Sequence, residues 1–390
     1  MNKFNVTPLL ILLLLTCFFN AEAQISILQK TIDKIQDCKS ISYSAVEKGG
    51  SPFSDELFTT TSQISFAKQA DKTLQPLYNI NFVTTSDKGF NYATHNIFNG
   101  TDLLNISLTD KTYRIKKNYT EGNIDNSSVY RLAADLKGYL KSNKHAITQA
   151  NDSTINGIAC YHIAIKSIDS AGKAKESYNN IDVFVSKKTF LPAYWKNDQK
   201  GLLEKGGMPI GTFKLQWEVT ATKYKLNAVA PGTFALKIPA GITEEKPPLA
   251  LLQKGTPAPN WKLTGTDGKT LSLADLKGKV TLLDITSTSC AACMLSVAPL
   301  NNLHAKYQGT NVSVVSINLD DKREDIIKFK DRYKVAYPVY MNGNTIKAAY
   351  HVSAIPVFYI INKEGIVSEV YEGFFENFEQ QITTKIDSLR

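Results

Sequence analysis

The C-terminal fold is decided by the stretch Val280–Cys293, which reads VTLLDITSTSCAAC. An apolar run of strand length comes first, and the pair Cys290 and Cys293 follows and opens a segment with helical character. Two cysteines at this spacing can form a disulfide, and the first lies where a helix dipole stabilises a thiolate. Half of a zinc site is the alternative, but zinc needs four ligands, and neither a second such cysteine pair nor a histidine pair is present. The stretch therefore predicts a redox-active dithiol with no metal and no cofactor.

Segments with strand and helix patterns alternate from Gly255 onward, which indicates an α/β domain. The expected elements are strand 279–286, helix 290–307, strand 312–319, helix 322–334, a short helix at 344–350, hairpin strands 357–361 and 366–371, and helix 375–389.

Residues 254–390 resemble the thioredoxin superfamily, in particular the exported TlpA-like thiol–disulfide oxidoreductases. The features that carry this resemblance are the lead-in 255–279 with its motifs GTPAPNW, DGK and LADLKGK, the pair Cys290 and Cys293, the dipeptide Ile355-Pro356, and Asp284 six residues before the first cysteine. The resemblance implies a thioredoxin-like fold and disulfide-bearing protein substrates, with a membrane thiol carrier as the electron donor.

The resemblance also implies a role for each site residue. Cys290 would attack the substrate disulfide as a thiolate, and Cys293 would resolve the mixed disulfide. Pro356 would follow a cis peptide bond, so that the backbone of Ile355 pairs with an extended substrate. Asp284 would accept the proton of Cys293, with a pKa raised by burial. An edge-strand or turn proline and a solvated or capping aspartate are the structural alternatives.

Three serines depart from the family pattern. Ser289 stands where the family usually has tryptophan, and Ser296 stands where TlpA-like reductases often carry glutamate. Ser316 stands at the position of the thioredoxin lysine that pairs with the buried acid. We therefore expect acid–base support to rest on Asp284 alone.

Residues 24–240 predict a separate, mainly antiparallel β domain with a few covering helices. Helices are expected at 26–37 and 128–142. Strands are expected at 40–47, 61–67, 77–84, 90–98, 102–108, 111–116, 158–166, 181–186, 191–196, 212–219 and 221–226. The order of elements, with the late segments 155–163 and 181–192, resembles the LolA-type lipoprotein-carrier fold, a half-barrel with helices on its concave side. A Pro- and Gly-containing linker is expected at 241–253.

The first 23 residues have the pattern of a signal peptide. Lys3 precedes the apolar run Leu9–Leu15, and Ala21-Glu22-Ala23 fits cleavage before Gln24. Lipidation at Cys17 is the less favoured alternative, since Thr16 suits a lipoprotein motif poorly. We expect an exported protein of the periplasm or cell envelope, soluble after cleavage.

Cys38 and Cys160 remain in the first domain after removal of the leader. In an oxidising compartment they could close a structural disulfide. Two buried free thiols are the alternative, because sequence alone does not supply the geometry that a disulfide requires.

Composition is that of a soluble globular protein, with 43% hydrophobic and 21% charged residues. The net charge is +9, but no arginine-rich or aromatic-interleaved stripe indicates nucleic-acid binding. The leading hypothesis is an exported thiol–disulfide oxidoreductase that reduces protein disulfides. The alternatives are an envelope protein that binds a lipid or other apolar ligand in its first domain, and a peroxiredoxin-like thiol peroxidase. The peroxidase motif lacks its upstream proline.

Overall fold

The structure is a computed structural model that describes residues 24–50, 56–70, 75–120, 127–167, 177–205 and 208–390. The chain forms two compact units, the first mainly from residues up to Glu245 and the second from Lys246–Arg390. We call them the sheet unit and the redox unit. The predicted leader, including Cys17, lies outside the described residues. None of the described helices combines the length and hydrophobicity needed to cross a bilayer.

The sheet unit begins with helix α1 at 24–37 and continues mostly as strands. Its elements are β1 Ser40–Gly50, β2 Leu57–Ala67, β3 Leu77–Ser86, β4 Asn91–Phe98, β5 Leu103–Ser107, β6 Thr112–Lys116, α2 Val129–Lys141, β7 His145–Ile155, β8 Ile158–Ser167, β9 Tyr178–Ser186, β10 Pro192–Lys205, β11 Met208–Leu226, a 3-10 turn at Pro231–Phe234 and β12 Thr243–Glu244.

Within the described residues these strands form one twelve-stranded sheet in the order β12-β6-β5-β4-β3-β2-β1-β11-β10-β9-β8-β7. Helices α1 and α2 supply their apolar faces, including Leu28 and Leu136, to one large core with the sheet. Alternation along the strands sends every second side chain into this core, as Ile163 and Ile165 of β8 show. A mainly antiparallel sheet with covering helices is therefore present, and the likeness to the LolA-type half-barrel stays a prediction.

The suggested Cys38–Cys160 disulfide is not formed, and both cysteines are free and buried. Cys38 belongs to the core shared with the helices, whereas Cys160 packs with Phe184 and Ala193 in a separate cluster. Because Cys160 is three residues from the core-facing Ile163 on the same strand, its side chain points to the opposite face of the sheet. The sheet lies between the two thiols, which is why they cannot pair.

The predicted linker 241–253 is partly built into the units. Strand β12 pairs in parallel with β6 of the sheet unit. Leu252 is buried in a core of the redox unit, and its backbone N–H donates to the Tyr359 hydroxyl at 3.2 Å. The ends of the linker are therefore structured.

The redox unit, which is described without a gap, contains β13 Lys262–Thr264, β14 Thr270–Ser272, a 3-10 turn at Leu273–Leu276, β15 Val280–Thr286, α3 Ala291–Lys306, β16 Val312–Asn318, α4 Arg323–Tyr333, β17 Val339–Tyr340, α5 Asn344–Ala349, β18 Val357–Ile361, β19 Val367–Glu372 and α6 Phe378–Asp387. Its central sheet has the order β17-β16-β15-β18-β19. Strand β15 is parallel to β16 and antiparallel to β18. This α/β arrangement is thioredoxin-like, and each predicted element of the region is present within a few residues of its expected bounds.

Candidate active site

The candidate site lies where β15 ends and α3 begins. Six of the seven residues of β15 are buried, because the strand is central and both of its faces are covered. The chain then turns through Ser287–Ser289, and Cys290 is the N-cap residue of α3. The cysteine pair is thus held by a rigid strand on one side and by a helix terminus on the other.

Cys290 and Cys293 form a disulfide, with Cα atoms 5.2 Å apart. The Sγ atom of Cys290 also accepts a hydrogen bond from the backbone N–H of Cys293 at 3.1 Å. Cys290 is partly exposed, whereas Cys293 is only 2% exposed. The helix terminus offers an N–H donor and a positive dipole to Cys290, the sulfur that solvent can reach. These differences suit Cys290 to attack an incoming disulfide.

The Ile355–Pro356 peptide bond is cis and lies beside the cysteines. The Ile355 carbonyl oxygen is 3.8 Å from the Sγ atom of Cys290. On its other side, the Pro356 carbonyl accepts a hydrogen bond from Gly373 N–H at 2.8 Å, which fixes the loop against the end of β19. Ile355 and Cys290 are 65 positions apart in sequence, and the fold brings the carbonyl oxygen of the first close to the sulfur of the second.

Asp284 lies in β15, six residues before Cys290, and is 1% exposed. Its Oδ2 atom accepts a hydrogen bond from the Ser316 hydroxyl at 2.8 Å, and its Oδ1 atom has no partner among the described residues. Burial raises the pKa of Asp284 to about 7, although the Ser316 hydrogen bond acts in the opposite direction. The pKa of Tyr337 is also raised, by burial first and by the nearby Asp284 charge second. The side chain is neither solvated nor a helix cap, which were the structural alternatives.

A small cavity of about 20 Å³ adjoins Cys293 and Ser316 and has Tyr337 in its wall. This volume is close to that of a single water molecule. The cavity places a small, mainly apolar space next to the buried Cys293 sulfur and next to the Ser316 hydroxyl that donates to Asp284.

The three serine departures have different environments. Ser289 is exposed next to Cys290. Ser296 is buried, and its hydroxyl donates to the Cys293 carbonyl at 2.7 Å. Ser316 is buried, and its uncharged hydroxyl donates a hydrogen bond to the carboxyl group of Asp284.

Sequence reasoning missed Asp321, which follows β16. Its carboxylate accepts hydrogen bonds from Thr288 N–H at 2.6 Å and from the Ser287 hydroxyl at 3.0 Å. The signal was available in principle, since parallel strands end at the same edge of a sheet and a polar residue after β16 can reach the turn after β15.

Comparison with known proteins gives matches to this part of the chain. The AhpC/TSA family pattern matches residues 254–370. The thiol-disulfide oxidoreductase ResA of Bacillus cereus is 30% identical over 138 residues, which are 34% of this chain and 80% of that protein. ResA of Bacillus subtilis is 32% identical over 123 residues, covering 31% of this chain and 69% of that protein. A crystal structure of a thiol:disulfide interchange protein of the thioredoxin family from Chlorobium tepidum is 22% identical and matches 36% of this chain and 99% of that one, with a TM-score of 0.32.

Proposed function

Since the redox unit belongs to the family of ResA-type thiol–disulfide oxidoreductases, we propose that the whole protein is exported and reduces protein disulfides through Cys290 and Cys293. The observation that carries this proposal is the contrast between the two sulfurs. Cys290 is reachable at a helix N-terminus, and Cys293 is buried one turn behind it. Such an arrangement separates an attacking thiol from a resolving thiol.

The reaction has two exchange steps. In the first, the Cys290 thiolate attacks one substrate sulfur, the substrate S–S bond breaks, and one substrate thiolate leaves and takes up a proton. In the second, the Cys293 thiolate attacks the Cys290 sulfur, and the second substrate thiolate leaves and is protonated in turn. Two electrons pass from the dithiol to the substrate, which becomes two thiols, while the protein acquires the disulfide present in the structure.

Asp284 is the proposed acceptor of the Cys293 proton. A carboxylate whose pKa is about 7 is close to evenly divided between its two forms at neutral pH, which suits a general base. The Ser316 hydroxyl donates a hydrogen bond but carries no positive charge, so it leaves the pKa high. The unpartnered Oδ1 atom is the free acceptor on this carboxyl group.

Substrate binding is proposed at the loop before β18. The backbone of Ile355 lies against Cys290. An extended substrate segment that pairs with this backbone would bring its disulfide to the exposed sulfur.

The proposed location rests on the leader-like residues 1–23. A protein in an oxidising compartment needs a source of electrons, and we propose that a membrane thiol carrier reduces the disulfide between turnovers. An apolar ligand in the sheet unit is less favoured, because large side chains including Phe66 and Trp195 fill the core between sheet and helices.

Insulin reduction tests the proposal. Wild type, Cys290→Ser and the control Cys38→Ala would be compared with dithiothreitol as the electron donor. We expect Cys290→Ser to fall to the rate of dithiothreitol alone and Cys38→Ala to retain the wild-type rate, because Cys38 is a buried thiol in the sheet unit. A Cys290→Ser protein as active as wild type would exclude the proposal. Rapid peroxide consumption at Cys290 would favour the peroxidase alternative instead.

A further inference from the structure

We infer that Asp321 is a positioning residue of the redox site, which holds the turn before Cys290 so that this sulfur stays at the N-terminus of α3. The inference rests on the proposed function, because it assigns a role within the same site. It concerns a residue that is distant from the cysteine pair in sequence and touches neither sulfur.

Strands β15 and β16 are parallel and end at the same register position. Thr286 at the end of β15 and Asn318 at the end of β16 are register partners. The pairing extends one residue further, since Leu319 N–H donates to the Thr286 carbonyl at 3.1 Å. The segments that leave the two strands therefore start side by side, and Asp321 can reach across to the turn that leads to Cys290.

One carboxylate oxygen of Asp321 accepts three hydrogen bonds. Oδ2 of Asp321 accepts from the Thr288 backbone N–H at 2.6 Å, from the Ser287 hydroxyl at 3.0 Å and from the Asn318 side-chain amide at 2.6 Å. Thr288 is 5% exposed, so its N–H group has little access to water and needs a protein acceptor. Asp321 supplies that acceptor.

Asp321 is itself held in place by Asn318. Its backbone N–H donates to the side-chain oxygen of Asn318 at 3.0 Å, while the Asn318 amide holds its carboxylate. Asn318 is 1% exposed and ends a buried strand. The Asp321 carboxylate is thus held by a residue at the end of the central sheet.

The turn that Asp321 holds leads directly to the Cys290 sulfur. Cys290 N–H donates to the Ser287 carbonyl at 3.3 Å, which closes the turn that Asp321 holds. At the end of this turn the Cys290 sulfur accepts from Cys293 N–H. A turn released from Asp321 would let Cys290 move away from this donor and from the helix dipole, and its thiolate would lose stabilisation.

The test is the rate of alkylation of Cys290 by iodoacetamide in the reduced Cys293→Ser background, measured against pH. Asp321→Ala removes both the charge and the acceptor, whereas Asp321→Asn removes the charge and keeps an oxygen acceptor. The matched control is Asp320→Ala, because Asp320 is an exposed carboxylate in the same loop. Asn318→Ala loosens the anchor and provides a second variant if Asp321→Ala folds poorly, which a thermal unfolding scan would show.

We expect Asp321→Ala to be alkylated about tenfold more slowly than Asp321→Asn at pH 7, with its rate profile moved to higher pH, because helix-terminus stabilisation changes the thiolate fraction by at least about this factor. Asn318→Ala should change in the same direction, and Asp320→Ala should match the parent. Equal profiles for Asp321→Ala and Asp320→Ala, or an Asp321→Asn protein as slow as Asp321→Ala, would overturn the inference. Alkylation needs no disulfide substrate, so its outcome is separate from that of insulin reduction.

Discussion

The Asp284→Asn substitution is expected to stabilise the folded protein at neutral and alkaline pH. Burial raises the pKa of this carboxyl group from 3.8 to about 7. The folded protein therefore retains a proton that the unfolded chain releases. The favourable contribution of this proton is fully present below pH 3.8, and it is lost as the pH rises through the window up to about 7. Asparagine does not ionise, so the free energy of unfolding of the variant does not fall through this pH window at position 284.

The magnitude follows from the two pKa values. A difference of about three pH units, at about 1.4 kcal/mol for each, corresponds to about 4 kcal/mol in the free energy of unfolding. The introduced amide would still offer an oxygen to the Ser316 hydroxyl in place of the carboxylate. We expect the variant to exceed wild type by about 4 kcal/mol at pH 8 and by less than about 1 kcal/mol at pH 4.

Denaturant unfolding of the oxidised proteins at pH 4 and pH 8, followed by circular dichroism, measures this difference. The sheet unit is identical in both proteins, so the comparison reports on the redox unit. Asp320→Asn is the control, because it makes the same chemical change at an exposed carboxylate of the same unit. A difference in the free energy of unfolding between Asp284→Asn and wild type that is the same at the two pH values would contradict a raised pKa of Asp284. Turnover should fall in the same variant by about 100-fold, as expected for the loss of a general base.

Three further outcomes are expected. Ser316→Ala removes the hydrogen bond that lowers the pKa of Asp284, so the acid limb of the pH–rate profile should move to higher pH. An acid limb at the wild-type pH would show that Ser316 does not affect the proton transfer. Leu300→Ala empties a fully buried position where α3 packs in one core with Phe358 and Ile382, and should cost about 2–5 kcal/mol in denaturant unfolding, whereas a loss below about 1 kcal/mol would contradict that packing. The reduction potential of the cysteine pair, measured in glutathione buffers, should be near roughly −270 mV for a reductase, and a value near roughly −120 mV would indicate an oxidant.

The redox unit was predictable because its signals are local. A buried strand, a cysteine pair and a helix follow one another within Val280–Lys306, and the order of the later elements fits a single α/β plan. The predicted role of Asp284 and the predicted position of the Ile355–Pro356 dipeptide beside the pair came only from the family resemblance. Their contacts join residues that are far apart in sequence, and spacing alone does not reveal such contacts.

The sheet unit shows where sequence patterns fail. Strand β7, His145–Ile155, was missed because both of its faces are polar and mostly exposed, so its apolar alternation is weak. Segments predicted as separate strands at 212–219 and 221–226 are one long strand, β11. The Cys38–Cys160 suggestion failed for a different reason, since the face on which a side chain lies depends on sheet order and register.

The contacts of Asp321 and Ser316 also depend on the pairing of β15 with β16, which the sequence pattern predicts only in outline. Ser316 lies in β16 and donates a hydrogen bond to Asp284 in β15. Asp321 lies in the loop after β16 and accepts a hydrogen bond from the turn after β15. A serine at position 316 suggests the loss of a charged partner, but only the register of β15 and β16 shows that its hydroxyl reaches Asp284.

Trapping the mixed disulfide is the most direct test of the proposed chemistry. Reduced Cys293→Ser protein would be mixed with a disulfide-bonded peptide, quenched in acid and mapped by peptide mass spectrometry. Because Cys290 attacks and the resolving thiol is absent, one peptide thiol should accumulate on Cys290. An adduct on Cys38 or Cys160 instead, or no adduct while wild type still reduces the same peptide, would contradict the assignment of Cys290 as the attacking thiol.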